Sequence, residues 1–144
     1  GVEFDLPTEA QWEFACRAGS TTLWYDNISW NGTQGVFVDG RGVCAQYMWA
    51  DEWGTALGEA QEVGLLKPNA YGLYDMHGNV WEWCFDWEVM YGTDPKGPPS
   101  GSRRVLRGGS WAYNADCSRS FNRGRNFPSA VHEDFGFRLC MSAE

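Results

Sequence analysis

The sequence predicts a single α+β domain that is rich in loops and poor in regular secondary structure. Three observations lead there. Nine Trp, eight Phe and six Tyr bring the aromatic share to 16%, alongside 18 Gly, a mixture that suits irregular packing of bulky rings around backbone positions that large residues cannot occupy. Helical periodicity is confined to one short, well-capped segment near the start. Short apolar runs that read as strands are separated by long stretches dense in Gly, Asn, Asp and Pro. No internal repeat or low-complexity tract interrupts the chain, and 144 residues suit one domain with a core of its own.

Taken in order, Thr8 followed by Gln11 forms a capping box with Pro7 before it, which predicts a helix from Glu9 to Arg17 stopped by Gly19. Trp12, Ala15 and Cys16 fall at i, i+3 and i+4 and therefore face the core. From Ser20 to Gly64 a loop region is pinned by Trp24, Trp30, Trp49 and Trp53. Pro68 and Asn69 open a turn. Val80 to Trp87 alternates as a strand, with Trp81, Trp83 and Trp87 on one side and Glu82 on the other. Asp94 to Ser102 is an exposed loop by its proline and glycine density. Val105 to Leu106 and Phe137 to Met141 are the remaining strand candidates, with a long irregular stretch between Trp111 and Phe135.

The net charge of −8 excludes generic nucleic-acid binding, which needs a basic stripe against the phosphates. The charge is unevenly placed: residues 1–102 carry fifteen acids against four basic residues, whereas residues 103–144 carry four acids against seven Arg. Arginine favours bidentate pairing with carboxylates, so the late arginines are expected to clamp loops onto the acidic part, with an anion-binding patch as the alternative. No run reaches the roughly 18 to 20 apolar residues of a membrane helix. Five cysteines, Cys16, Cys44, Cys84, Cys117 and Cys140, have no CxxC spacing and cannot all pair within one chain.

Four motifs occur in a fixed order: Leu6-Pro-Thr-Glu-Ala-Gln-Trp-Glu-Phe-Ala15, Asn69-Ala-Tyr-Gly-Leu-Tyr-Asp-Met-His-Gly-Asn-Val-Trp-Glu-Trp83, Arg104-Val-Leu-Arg-Gly-Gly-Ser-Trp111 and Gly136-Phe-Arg138. In that order they resemble the formylglycine-generating-enzyme (sulfatase-modifying-factor) family. The resemblance runs from Asp5 to Cys140 and implies a C-type-lectin-like architecture with a small twisted antiparallel sheet and long ordered loops. Family members begin with strands and a threonine-rich segment ahead of the Leu6 motif, so the resemblance also implies that this chain is the later part of a longer domain. A signal or lipid anchor would then lie outside these residues, and a cell-surface or extracellular location is the expectation. Relatives join a cysteine of the first motif to one just after the last, which maps to Cys16 and Cys140. Cys140 stands one residue later than in the family pattern, and a one-residue shift in a strand reverses the face of the side chain.

The same resemblance bears on chemistry. Active members carry two copper-binding cysteines shortly after the Gly-Gly-Ser motif, at places matched here by Tyr113 and Ala115. Cys117 is two residues away and single, and one thiol cannot supply the paired soft ligands that copper(I) prefers. No copper and no oxidase activity are therefore expected; Ser110 and Trp81 match active-site positions but read as scaffold without the thiols. The iron-dependent sulfoxide synthases, another branch resembling this chain, need a histidine cluster, whereas only His77 and His132 are present. In relatives a calcium ion sits on the segment matched by Asp75 to Glu82. The ligands carry over as Asp75, the carbonyls of Gly78 and Val80, and Glu82, a mixed oxygen set that suits calcium. The alternative is that Asp75 caps a turn and Glu82 pairs with an arginine such as Arg107.

Residues 112–135 lie between two motifs yet hold an odd assortment of side chains. This placement resembles the variable proteins of diversity-generating retroelements, in which adenines of AAC-type codons near the C-terminus are randomised. The resulting NNC codons never encode Lys, Gln, Trp, Met or Glu, and from Ala112 to Asp134 only Glu133 violates that set. The function expected is a non-catalytic display protein that binds a protein or other macromolecular ligand through Tyr113, Asn114, Asp116, Phe121, Asn126, Phe127 and His132. The alternatives are an oxidase of the same superfamily and a structural accessory domain.

Overall fold

The computed structural model describes residues 2–24, 48–49, 58–89 and 97–142; Trp30, Trp53 and Cys44 fall outside them. Strand β1 (Glu3–Asp5) leads into helix α1 (Glu9–Arg17). The helix begins where the capping box places it: Gln11 N–H donates to Thr8 Oγ1 at 3.2 Å and Thr8 N–H to Gln11 Oε1 at 2.8 Å, satisfying two donors that a helix start leaves unpaired. Asp86 adds a third tie, accepting from Glu9 N–H at 2.6 Å. Ala18, at φ 45°, takes the left-handed position that ends the helix, one residue before the expected Gly19.

Four more short strands precede the C-terminal stretch: β2 (Met48–Trp49), β3 (His77–Gly78), β4 (Trp81–Trp87) and β5 (Arg104–Arg107). β6 (Gly124–Asn126), β7 (Phe135–Gly136) and β8 (Cys140–Ser142) complete the order. The main sheet runs β6-β5-β4-β7, antiparallel except for β4 with β7, with a register shift in β4 between Trp83 and Trp87. β1 pairs with β8, and β2 with β3, as separate two-stranded ribbons. The run Phe137 to Met141 is thus not one strand: residues 137–139 are irregular between β7 and β8. β6 lies inside the stretch expected to be irregular, because its three residues carry no alternation and are held by pairing with β5.

The core sits between α1 and β4. Trp12 and Cys16 from the helix meet Met76, Cys84 and Val105, with Ala15 and Leu73 packed against them. Even-numbered residues of β4 point into this layer, so Glu82, Cys84 and Asp86 are buried beside the helix. Cys16 and Cys140 are both free thiols, correcting the disulfide. Cys16 is sealed in the core against the Met76 carbonyl and His77, whereas Cys140 pairs in strand register with Asp5.

The late arginines do clamp the early acids. Arg107 is completely buried and pairs with Glu13, Arg123 with Glu9, Arg125 with Glu88, and Arg138 with Glu82. The partner of Glu82 is therefore Arg138, not Arg107. Arg107 sits directly across from Glu82 in the β4–β5 register, but its guanidinium is drawn to the helix.

Candidate ligand-binding surface

β5 ends in Gly108 and Gly109, at φ 94° and 75°, where a side chain would be strained. A Cβ on Gly109 would also lie 2.3 Å from Ser118 Oγ and 2.9 Å from Ser118 Cα. The pair lets the following loop press directly onto main chain. Ser110 then turns inward, fully buried, and donates to Asp134 Oδ2 at 2.8 Å, while Trp111 N–H donates to the Asn79 carbonyl at 2.8 Å.

From this base the chain leaves as Tyr113 and Asn114, and Asn114 caps a 3₁₀ turn over Ala115–Ser118 by accepting from Cys117 N–H at 3.3 Å. The turn and the residues after it are gripped from below through their carbonyls. His77 Nδ1 donates to Ser118 O at 2.7 Å, and Arg107 donates to Ser120 O at 2.8 Å and to Asn122 O. Ser120 N–H reaches the Leu23 carbonyl at 2.7 Å. The chain then enters β6, turns after Phe127, and returns through His132 to Asp134.

On this frame Tyr113, Phe121 and Phe127 stand 47%, 47% and 49% exposed. Asn114, Asp116 and His132 are exposed, and Asn126 is half-buried. Tyr113 sits edge-on to Trp81, with centroids 5.9 Å apart. His132 stacks on Phe135 at 5.1 Å, and Phe135 stands edge-on to Trp83 at 5.6 Å. Tyr113 and His132 therefore flank the tryptophan-bearing face of β4, with Asn114 and Asp116 on the adjoining turn. Asp116 is tied to Arg119 at 2.6 Å. Phe127 sits apart, under the Arg103 guanidinium at 5.1 Å, and Asn126 pairs in register with Arg104. The sequence reading missed Phe135 and Asp134 as the platform and anchor of this surface, although Asp134 lies two residues before the Gly136-Phe-Arg138 motif. It also passed over Val131, which is 93% exposed.

The thiols and imidazole beneath the surface are not set up for nucleophilic chemistry. Cys16 Sγ lies 3.8 Å from His77 Nε2. Burial pushes the Cys16 thiol up to about 12 and pulls His77 down to about 4. Both charged forms are disfavoured, so the pair cannot supply the thiolate–imidazolium couple that activates a cysteine. Burial also raises Cys84 and Cys117, the latter with help from the neighbouring Asp116 charge.

The calcium ligand set carried over from the resemblance is divided between two environments. Glu82 is 6% exposed and receives Arg138 on both oxygens, at 2.6 Å each, and the Trp12 indole N–H on Oε2 at 2.6 Å. Asp75 holds φ 54° and accepts from Gly64 N–H on Oδ2 at 2.7 Å, leaving Oδ1 buried without a partner. Asp75 Oδ1 could take a cation, but Glu82 is committed to a guanidinium. In this arrangement Glu82 is therefore not free to ligate calcium alongside Asp75. Among the described residues no group of three His, Cys, Asp or Glu side chains is placed to hold a metal ion.

Comparison with known proteins bears on the fold and the family. The chain is 38% identical over 148 residues to the serine/threonine-protein kinase pkn1 of Chlamydia pneumoniae, covering 95% of this chain and 21% of that protein. It is 36% identical over 152 residues to the formylglycine-generating enzyme of Streptomyces coelicolor, covering 96% of this chain and 47% of the enzyme. The chain thus spans less than half the length of these relatives. Among solved structures, Treponema denticola variable protein 1 superposes with a TM-score of 0.76 at 40% identity, covering 94% of this chain and 46% of that one. Residues 2–143 match the sulfatase-modifying factor enzyme 1-like domain, and the chain belongs to that family.

Proposed function

We propose that this chain is a non-catalytic binding module whose family scaffold displays a diversified C-terminal surface to a protein or other macromolecular ligand. The observation that carries the proposal is how residues 118–122 are held. Their ties to His77, Arg107 and Leu23 run largely through main-chain atoms, while Ser118 and Ser120 themselves are buried against the scaffold. Nearby side chains, including Tyr113 and Phe121, stand about half exposed. A segment anchored in this way keeps its path when its exposed side chains change, as a display loop requires. Half-exposed Tyr and Phe with neighbouring Asn give large contacts and adaptable hydrogen bonds at low entropic cost, the logic of antibody loops. The likeness to Treponema denticola variable protein 1 supports the same reading, and a cell-surface or extracellular location fits it.

The formylglycine-generating relatives raise the enzyme as the second reading. The residues at the matched thiol positions, Tyr113 and Ala115, supply no thiolate for copper(I), and the nearby Cys117 is a single thiol held toward its protonated form. Deep sequencing of the 3′ end of the gene across a cultured population tests the display reading. Variation concentrated in codons 113–132 and confined to positions derived from adenine supports it. A uniform sequence with no neighbouring reverse-transcriptase gene and no near-copy of the 3′ end removes it.

A further inference from the structure

Asp134 is 3% exposed, and its two oxygens are treated differently. Oδ2 accepts from the buried Ser110 hydroxyl at 2.8 Å. Oδ1 is sealed from solvent with no aligned hydrogen bond, and His132 Nδ1 lies 3.0 Å away. The imidazole itself is 64% exposed, with one face against the Phe135 ring. A buried carboxylate oxygen without a donor is costly, and solvent cannot reach this one. Its available donor is the Nδ1–H of His132, and a small turn of the exposed ring brings that bond into line. The proton on one imidazole nitrogen is set by the hydrogen bond that nitrogen makes.

We infer that Asp134, braced by Ser110, is a positioning residue that fixes neutral His132 as its Nδ1–H tautomer. The Nε2 lone pair then faces outward, and position 132 presents a hydrogen-bond acceptor to a ligand N–H or O–H. Ser110 and Phe135 complete the mount, one holding the carboxylate and the other supporting the ring. The ligand class rests on the display reading above, whereas the tautomer does not, so the two can fail separately.

Side-chain ¹H–¹⁵N correlation spectra of the whole chain read the tautomer directly. His77 and His132 are its two histidines, and a His132→Gln variant assigns the signals. The expected result is a protonated Nδ1, with the large downfield ¹⁵N shift of a lone-pair nitrogen at Nε2. The reverse pattern in the unaltered protein overturns the inference without any variant. Asp134→Ala removes the acceptor, so the Nδ1–H preference should be lost; retention of Nδ1–H in a folded D134A protein also overturns the inference. If D134A does not fold, the tautomer read in the unaltered protein decides alone.

Discussion

Arg138 holds Glu82 through both carboxylate oxygens, at 2.6 Å each, across 56 residues of sequence, and Trp12 reaches the same carboxylate from the helix. One buried anion thereby joins the first, second and last family motifs. Glu82→Gln should lower unfolding free energy by roughly 3 kcal/mol, the low end for breaking a buried pair because Arg138 keeps about a quarter of its side chain in solvent. Urea denaturation checks it, and a loss under about 0.5 kcal/mol would show that the junction is not a structural anchor.

Calcium must compete with that guanidinium. We expect the melting temperature of metal-free protein to be the same with added calcium as with chelator. A site taken up only by the folded state would raise stability by about 2.7 kcal/mol at 100 times its Kd. A rise of that size would mean that calcium displaces Arg138.

Stability should fall on mild acidification. His77 is driven down to about 4 by burial, against an ordinary 6.5. Between those values the unfolded chain binds the proton and the folded chain does not, so lowering the pH favours unfolding. The loss starts near pH 6.5, is complete near pH 4, and amounts to on the order of 3 kcal/mol. Denaturation midpoints from pH 7 to 4 test it against a His77→Gln variant, which should lack this component of the slope.

No aldehyde should form when the protein is incubated with copper and a Cys-x-Pro-x-Arg peptide. Mass spectrometry of the peptide checks it. Conversion of its cysteine to formylglycine would replace the display reading with an enzymatic one.

Display residues and scaffold residues should separate in tolerance. Phe121→Ala and Phe127→Ala, both about half exposed, should each cost under about 1 kcal/mol. Trp12→Ala, at 1% exposure, should cost on the order of 3 to 5 kcal/mol. Equal costs in thermal unfolding would make the C-terminal stretch part of the core.

Local signals made part of this structure legible. Thr8 and Gln11 announce α1 because a capping box is complete within four residues, and alternation marks β4 because its odd and even residues face different layers. What escaped was long-range. β6 exists through pairing with β5, and the split between β7 and β8 follows from which strand each meets. Arg138 rather than Arg107 takes Glu82 because Glu13, on the helix, claims Arg107. At the surface, the candidate positions could be proposed from the resemblance to variable proteins, but the tie from Asp134 to Ser110 and His132 could not. Asp134 and Ser110 stand 24 residues apart, and no spacing rule connects them.

Gly109 offers a handle of another kind. With Ser118 pressed against its bare backbone, a methyl group there would act as a shim, lifting the turn that carries Asn114 and Asp116 while every outward side chain kept its identity. Composition and placement of this exposed surface are thus separately adjustable. One is written in the loop, and the other in the thickness of a single residue beneath it.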